Sequence, residues 1–148
     1  MNRAMFVTVL ARLEGIDPSK YTSSNFSDVP PDAYYLGGVE WASSVGIVNG
    51  MGDGTFGSEK EITREQMATL IYRYIQYKGY TLPTKVTAEP FADGNKISSY
   101  AKDAVTAMQN AGILNGKGEN KFDPQGTAKR GEVAKIFAML IEVLVKQS

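Results

Sequence analysis

Apolar residues recur at helical spacing in three stretches of the chain. After Arg64 they fall at Met67, Leu70, Ile71, Tyr74 and Ile75, a single stripe at i, i+3, i+4, i+7 and i+8. After Arg130 the stripe is Val133, Ile136, Phe137, Leu140, Ile141 and Leu144, and after Arg3 it is Phe6, Val9, Leu10 and Leu13. Each predicts an amphipathic helix, and three helices apolar on one face most simply bury those faces together as a bundle. The starts are legible as well. Thr63 with Gln66 has the capping-box pattern, and Asn2 is a good cap for the first helix. Lys129 stands at the third cap position with Gly131 in the first turn, so that helix is expected to begin from Thr127 or to be weakly anchored. Gly15 and Gly79 fit the stops of the first two.

The stripes belong to an internal duplication. "GIVNGMGDGTFGSEKEITREQMATLI" from Gly46 matches "GILNGKGENKFDPQGTAKRGEVAKIF" from Gly112 at a constant offset of 66 residues, which places Arg130 under Arg64. Upstream, "FSDV" from Phe26 answers "FADG" from Phe91 at an offset of 65. The opening "NRAMFVTVLARL" aligns with "TREQMATLIYRY" at an offset of 61, so Arg3 shares the position. Each full repeat also predicts an earlier helix, roughly 32–45 and 98–111, launched by turns at Asp28-Pro30-Pro31 and Asp93-Gly94 and ended by Gly46 or Gly112. The glycine-rich stretches "NGMGDGTF" and "NGKGENKF" read as tight turns, with short strand-like pairing as an added option, so the unit is helix, turn, helix. The expected organisation is one domain over 1–148: a partial repeat 1–15, full repeats 24–79 and 88–146, and a linker 80–87.

Composition narrows the chemistry. Sixteen basic residues balance sixteen acidic ones with no basic run, so nucleic acid is not an expected partner. Without Cys or His the chain has no thiolate or imidazole metal site, no Cys nucleophile, no His-based triad and no disulfide, and no cofactor is expected. Counting an EF-hand-like loop from Asn49 puts Met51 at a position that needs an oxygen ligand, which argues against calcium. No spacing selects a catalytic carboxylate pair from sixteen acids, so an enzyme is not expected. No apolar run approaches a membrane span, and the N-terminus lacks a cleavage-site pattern.

The order "FSDV", "GVEWASSVGIVNG", "GDGTF", "ITREQ", followed by the diverged "FADG", "SYAKDAV", "GILNG", "KFDP", "KRGE", resembles the S-layer homology repeat. The resemblance covers two complete repeats and the final helix of a preceding one. It implies an all-α domain, a pseudo-threefold spindle of helix-turn-helix repeats around a central three-helix bundle with grooves between repeats. It further implies noncovalent binding of exported bacterial proteins to secondary cell-wall polysaccharide, often through pyruvylated sugars. The localisation implied is the bacterial cell surface, with a signal peptide expected outside this chain. The family's arginine falls on Arg3, Arg64 and Arg130 and its aspartate on Asp28 and Asp93. Its usual Trp is replaced by Tyr34 and Tyr100, while Trp41 lies further on.

An arginine at a helix start runs against the helix dipole by about 0.3 to 1 kcal/mol. Three such arginines suggest a function, since a guanidinium beside free helix N–H groups can grip a carboxylate such as a pyruvyl ketal. A structural salt bridge is the plain alternative for each. Asp28 and Asp93 stand between ligand contact and turn or cap duty, and Tyr34, Tyr100 and Trp41 between core and sugar platform. The second functional class is a protein-binding or self-assembly module, with the incomplete first repeat offering an apolar edge to another chain.

Overall fold

The computed structural model describes residues 1–85 and 87–146; Val86, inside the expected linker 80–87, lies outside the described residues. The chain is all-helical: α1 (Arg3–Glu14), α2 (Leu36–Ser44), α3 (Arg64–Tyr77), α4 (Lys102–Asn110) and α5 (Arg130–Val145), with 3-10 turns at Pro18–Lys20, Gly94–Lys96 and Ser99–Ala101. Among the described residues the only strand-like features are isolated bridges, Asn2 with Glu61 and Thr63 with Thr127. The glycine loops are therefore turns without a sheet. No helix among these residues is long and apolar enough to cross a membrane.

Two compact units divide the chain at Ile62 and Thr63. That boundary falls between the glycine loop of a repeat and its arginine helix. The arginine helix of one repeat therefore folds with the short helix and loop of the next. In the first unit α1 packs on α2. Two adjacent glycines let the chain come close here. A Cβ on Gly38 would lie 3.0 Å from the Val7 carbonyl oxygen and 3.2 Å from Thr8 Cα, and one on Gly37 would lie 3.2 Å from Pro18. In the second unit α3 packs on α4.

The caps follow the sequence in α1 and α3. Met5 N–H donates to Asn2 Oδ1 at 2.8 Å. Thr63 and Gln66 exchange both bonds of a capping box, at 3.2 and 3.0 Å. At α5 the expected start near Thr127 is corrected to Arg130, and Lys129 receives half a box, its N–H donating to Glu132 Oε1 at 3.1 Å. A lysine has no acceptor to return the other half. Gly131 in that first turn has no positive φ, and no atom lies within 4 Å of a Cβ built on it. Gly131→Ala is therefore expected to raise stability by about 0.5 to 1 kcal/mol, read as an upward shift of the urea midpoint, by removing backbone freedom from the unfolded chain.

The short helices begin a turn later than the sequence suggests. Residues 30–36 form successive tight turns, Ala33 N–H to Pro30 O at 3.0 Å and Leu36 N–H to Ala33 O at 3.2 Å, and Tyr35 supplies no side-chain cap. Before α4, Ser98 has the right side chain for a cap but spends it elsewhere. Its N–H and hydroxyl both donate to the buried Glu65 carboxylate, at 2.9 and 2.6 Å, leaving Ser99–Ala101 as a 3-10 turn.

The core bears out the α3 stripe in full, with Met67, Leu70, Ile71, Tyr74 and Ile75 buried. In α1, Phe6 and Leu10 are buried while Val9 and Leu13 are half-buried. In α5, Val133, Ile136, Phe137 and Leu140 are buried, but Ile141 is 43% exposed and Leu144 half-buried. Val143 is buried instead, so the inward face of the last turns is rotated from the one the spacing predicts.

Candidate functional site

The arginines that start α1 and α3 meet the loop of the following repeat. In the second unit the Arg64 side chain is 3% exposed. Its Nε donates to the Phe122 carbonyl at 2.7 Å, Nη2 donates to the Asn115 carbonyl at 3.1 Å, and Nη1 pairs with Glu132. The guanidinium also lies 5.0 Å from the centre of the Phe122 ring. In the first unit Arg3 repeats the arrangement. Nε donates to Phe56 O at 3.1 Å and Nη2 to Asn49 O at 2.7 Å, with the Phe56 ring 4.8 Å away.

The helix N–H groups beside these arginines are not free. Arg64 and Glu65 donate their N–H to the Gly126 and Pro124 carbonyls, at 2.9 and 3.0 Å, and Arg3 and Ala4 donate theirs to Lys60 and Ser58, at 2.9 and 3.0 Å. The expectation of an anion site on free helix amides is thus corrected at both helices. Loop carbonyls take the amides and the guanidinium together. Those carbonyl dipoles also offset the unfavourable placement of a cation at a helix N-terminus. Burial lowers the Arg3 and Arg64 pKa values, while nearby aspartates, Asp28 for Arg3 and Asp123 and Asp93 for Arg64, oppose the shift.

The two aspartates hold the same loops from the other side. Asp28 accepts from the N–H groups of Phe56, Gly57 and Ser58 at 2.7, 2.9 and 3.0 Å. Asp93 accepts from those of Phe122 and Asp123, both at 2.8 Å. In each loop, then, the phenylalanine gives its N–H to an aspartate and its carbonyl to an arginine. Burial pushes both carboxyls up, but the backbone donors outweigh it and hold them below the ordinary 3.8.

The aromatic candidates separate. Trp41 is buried in the core. Tyr34 is 63% exposed, with its ring edge-on to Tyr35 at 5.0 Å. Tyr100 is half exposed, and its hydroxyl donates to Glu65 Oε2 at 2.9 Å. Partial burial, together with the bond to Glu65 and its charge, pushes the Tyr100 phenol up to about 12. Glu65, which sequence reasoning passed over, thus gathers Ser98 and Tyr100 from the α4 start. Arg130 is exposed.

Within the second unit a groove of about 190 Å³ runs past Arg64. Asn115, Lys117, Glu132 and Lys135 line it together with the apolar Ile136 and Met139. Lys117 Nζ lies 3.4 Å from Asp123. No carboxylate among the described residues pairs with Lys135. Sequence reasoning missed both lysines, because only the fold brings residues 117 and 135 to one groove.

The chain belongs to the S-layer homology domain family, which matches residues 25–68 and 90–134. It is a cell-surface anchoring module, extracellular and associated with the cell wall, of a family that binds cell-wall polymers and is not itself catalytic. It is 33% identical over 142 residues to an amylopullulanase of Thermoanaerobacterium thermosulfurigenes, which covers 96% of this chain and 8% of that protein. It is 32% identical to the exoglucanase XynX of Acetivibrio thermocellus, over 96% of this chain and 13% of the relative. Against the S-layer protein EA1 of Bacillus anthracis the identity is 26%, over 82% of this chain and 14% of the relative.

Proposed function

We propose that this module anchors by binding an anionic secondary cell-wall polysaccharide in the groove beside Arg64, with a pyruvyl ketal carboxylate as the recognised group. The observation that carries this reading is the groove's content: Arg64, Lys117 and Lys135 against the single lining carboxylate of Glu132, together with the apolar Ile136 and Met139. Cations suit a ketal carboxylate, and apolar lining residues suit the face of a sugar ring. Arg64 shapes the groove by holding Asn115 and Phe122, and offers its two remaining N–H groups to the ligand. Lys135 supplies the charge not already paired. Arg3 plays the corresponding part on its own loop, Asp28 and Asp93 keep the loops in shape, and the exposed Tyr34, Tyr100 and Arg130 are further sugar contacts.

Lys135 tests this cleanly because it is exposed and its replacement leaves the core untouched. Lys135→Glu is expected to weaken binding of purified pyruvylated polymer by about tenfold in calorimetry, with the thermal midpoint unchanged, and added salt should shrink the difference. Equal binding by parent and variant would exclude this groove as the site.

A further inference from the structure

Two asparagines carry side chains that the fold does not use. Asn49 and Asn115 hold the same position in the two glycine loops, both are exposed, and neither side chain makes a hydrogen bond among the described residues. Others are tethered: Asn110 Oδ1 accepts from the Ala88 N–H at 3.4 Å, and Asn120 Nδ2 donates to the Pro90 carbonyl at 2.9 Å. Each free asparagine precedes a glycine that the fold requires. A Cβ on Gly116 would lie 2.7 Å from the Lys121 carbonyl oxygen, and one on Gly50 would lie 3.0 Å from that of Thr55 and 2.5 Å from the Phe26 ring.

Asparagine is a labile side chain, and most so before glycine, where no Cβ hinders the glycine nitrogen from reaching the side-chain carbonyl carbon. A folded chain suppresses that attack by burying the pair, tethering the side chain or holding the glycine N–H in a hydrogen bond. Here the side chains are exposed and untethered, and among the described residues neither the Gly50 nor the Gly116 N–H has an acceptor. A fourth feature promotes the attack. The Asn115 carbonyl accepts from Arg64 Nη2 at 3.1 Å, and the Asn49 carbonyl from Arg3 Nη2 at 2.7 Å. When the glycine nitrogen loses its proton, the negative charge spreads onto that carbonyl oxygen, where the guanidinium stabilises it.

We propose that Asn49 before Gly50 and Asn115 before Gly116 are sites of spontaneous deamidation in the folded chain. The deprotonated Gly116 nitrogen adds to Asn115 Cγ, the bond from Cγ to the side-chain nitrogen breaks, and that nitrogen leaves as ammonia with a proton from water. Water then opens the five-membered imide at either carbonyl, giving aspartate or isoaspartate. An amide becomes a carboxylate, nothing is oxidised or reduced, and water is the co-reactant. At Asn115 the new carboxylate enters the groove beside Arg64, whose lining of three cations and one carboxylate becomes three against two. The groove thus loses cationic character with the age of the chain. The modification does not rest on polysaccharide recognition.

The test incubates the full chain at neutral pH, folded and denatured in urea side by side, and follows every asparagine by peptide mapping with mass detection. The expected result is a gain of about one mass unit at Asn49 and Asn115 of the folded chain, as separable aspartate and isoaspartate peptides, at no less than a third of their rates in urea. Asn110 and Asn120 stay unchanged over that time. Asn49→Gln and Asn115→Gln each remove the gain at their own site and leave the other, since glutamine closes a larger ring more slowly. Both side chains are exposed and unbonded, so the variants keep the fold, which circular dichroism checks. A folded rate below a third of the urea rate at either site overturns the proposal, because the loop would then protect the pair. So does a mass gain of the folded chain that survives in full when both substitutions are combined.

Discussion

Arg64→Ala is expected to destabilise the protein by about 3 to 5 kcal/mol, the scale for removing one partner of a buried ionic and hydrogen-bonded group. The arginine is 3% exposed, so water does not replace it freely. Its loss leaves the Phe122 and Asn115 carbonyls without donors and Glu132 without its cation. Arg64→Lys should recover less than half, since one ammonium cannot span two carbonyls and a carboxylate as a planar fork does. Arg3→Ala should resemble Arg64→Ala, because Arg3 makes the same two carbonyl bonds. Arg130→Ala, at an exposed position, should stay within about 0.5 kcal/mol of the parent. Urea unfolding followed by helical circular dichroism distinguishes these outcomes. A near-neutral Arg64→Ala would mean that the loop carbonyls find water instead.

Asp28→Asn comes next in size, with an expected loss of about 2 to 4 kcal/mol. Three loop N–H groups converge on this carboxylate, and the amide of Asn keeps only one acceptor oxygen for them while turning an NH2 toward donors. The pH dependence follows from the lowered carboxyl pKa. In the unfolded chain the aspartate takes up a proton near its ordinary 3.8, whereas the folded one does so only at lower pH. The stabilisation is therefore fully present above about 3.8 and is lost as pH falls through the folded value. Asp93 acts in the same direction. Asp28→Asn should show a shallower acid limb than the parent in thermal melts between pH 5 and 2. An equally steep limb would place acid sensitivity elsewhere.

The repeat itself, the arginine helices and the caps on Asn2 and Thr63 were readable from residue spacing, because helical periodicity and capping are local. The partners of the arginines were not. Arg64 and Arg3 bind main-chain carbonyls of the next repeat's loop, and a carbonyl leaves no mark in sequence. Nor could spacing show that the helix amides beside the arginines were already taken. The late starts of α2 and α4 have a similar origin. Ser98 looks like a cap, but Glu65, thirty-three residues away, claims both its donors. Ile141 was assigned to the core by its period, yet the last turns of α5 turn Val143 inward and leave Ile141 to solvent. The aspartates stood out by their repeat positions, while their bonds to the loop amides belong to tertiary structure. Lys117 and Lys135 were invisible as a pair for the same reason.

The most direct measurement is co-sedimentation of the full chain with purified cell-wall sacculi before and after chemical removal of ketal-linked pyruvate, at matched ionic strength. Anchoring through an anionic sugar predicts binding to native sacculi that falls at least tenfold after pyruvate removal, with Lys135→Glu already weak on the native material. Undiminished binding to pyruvate-free sacculi, by parent and variant alike, would contradict it.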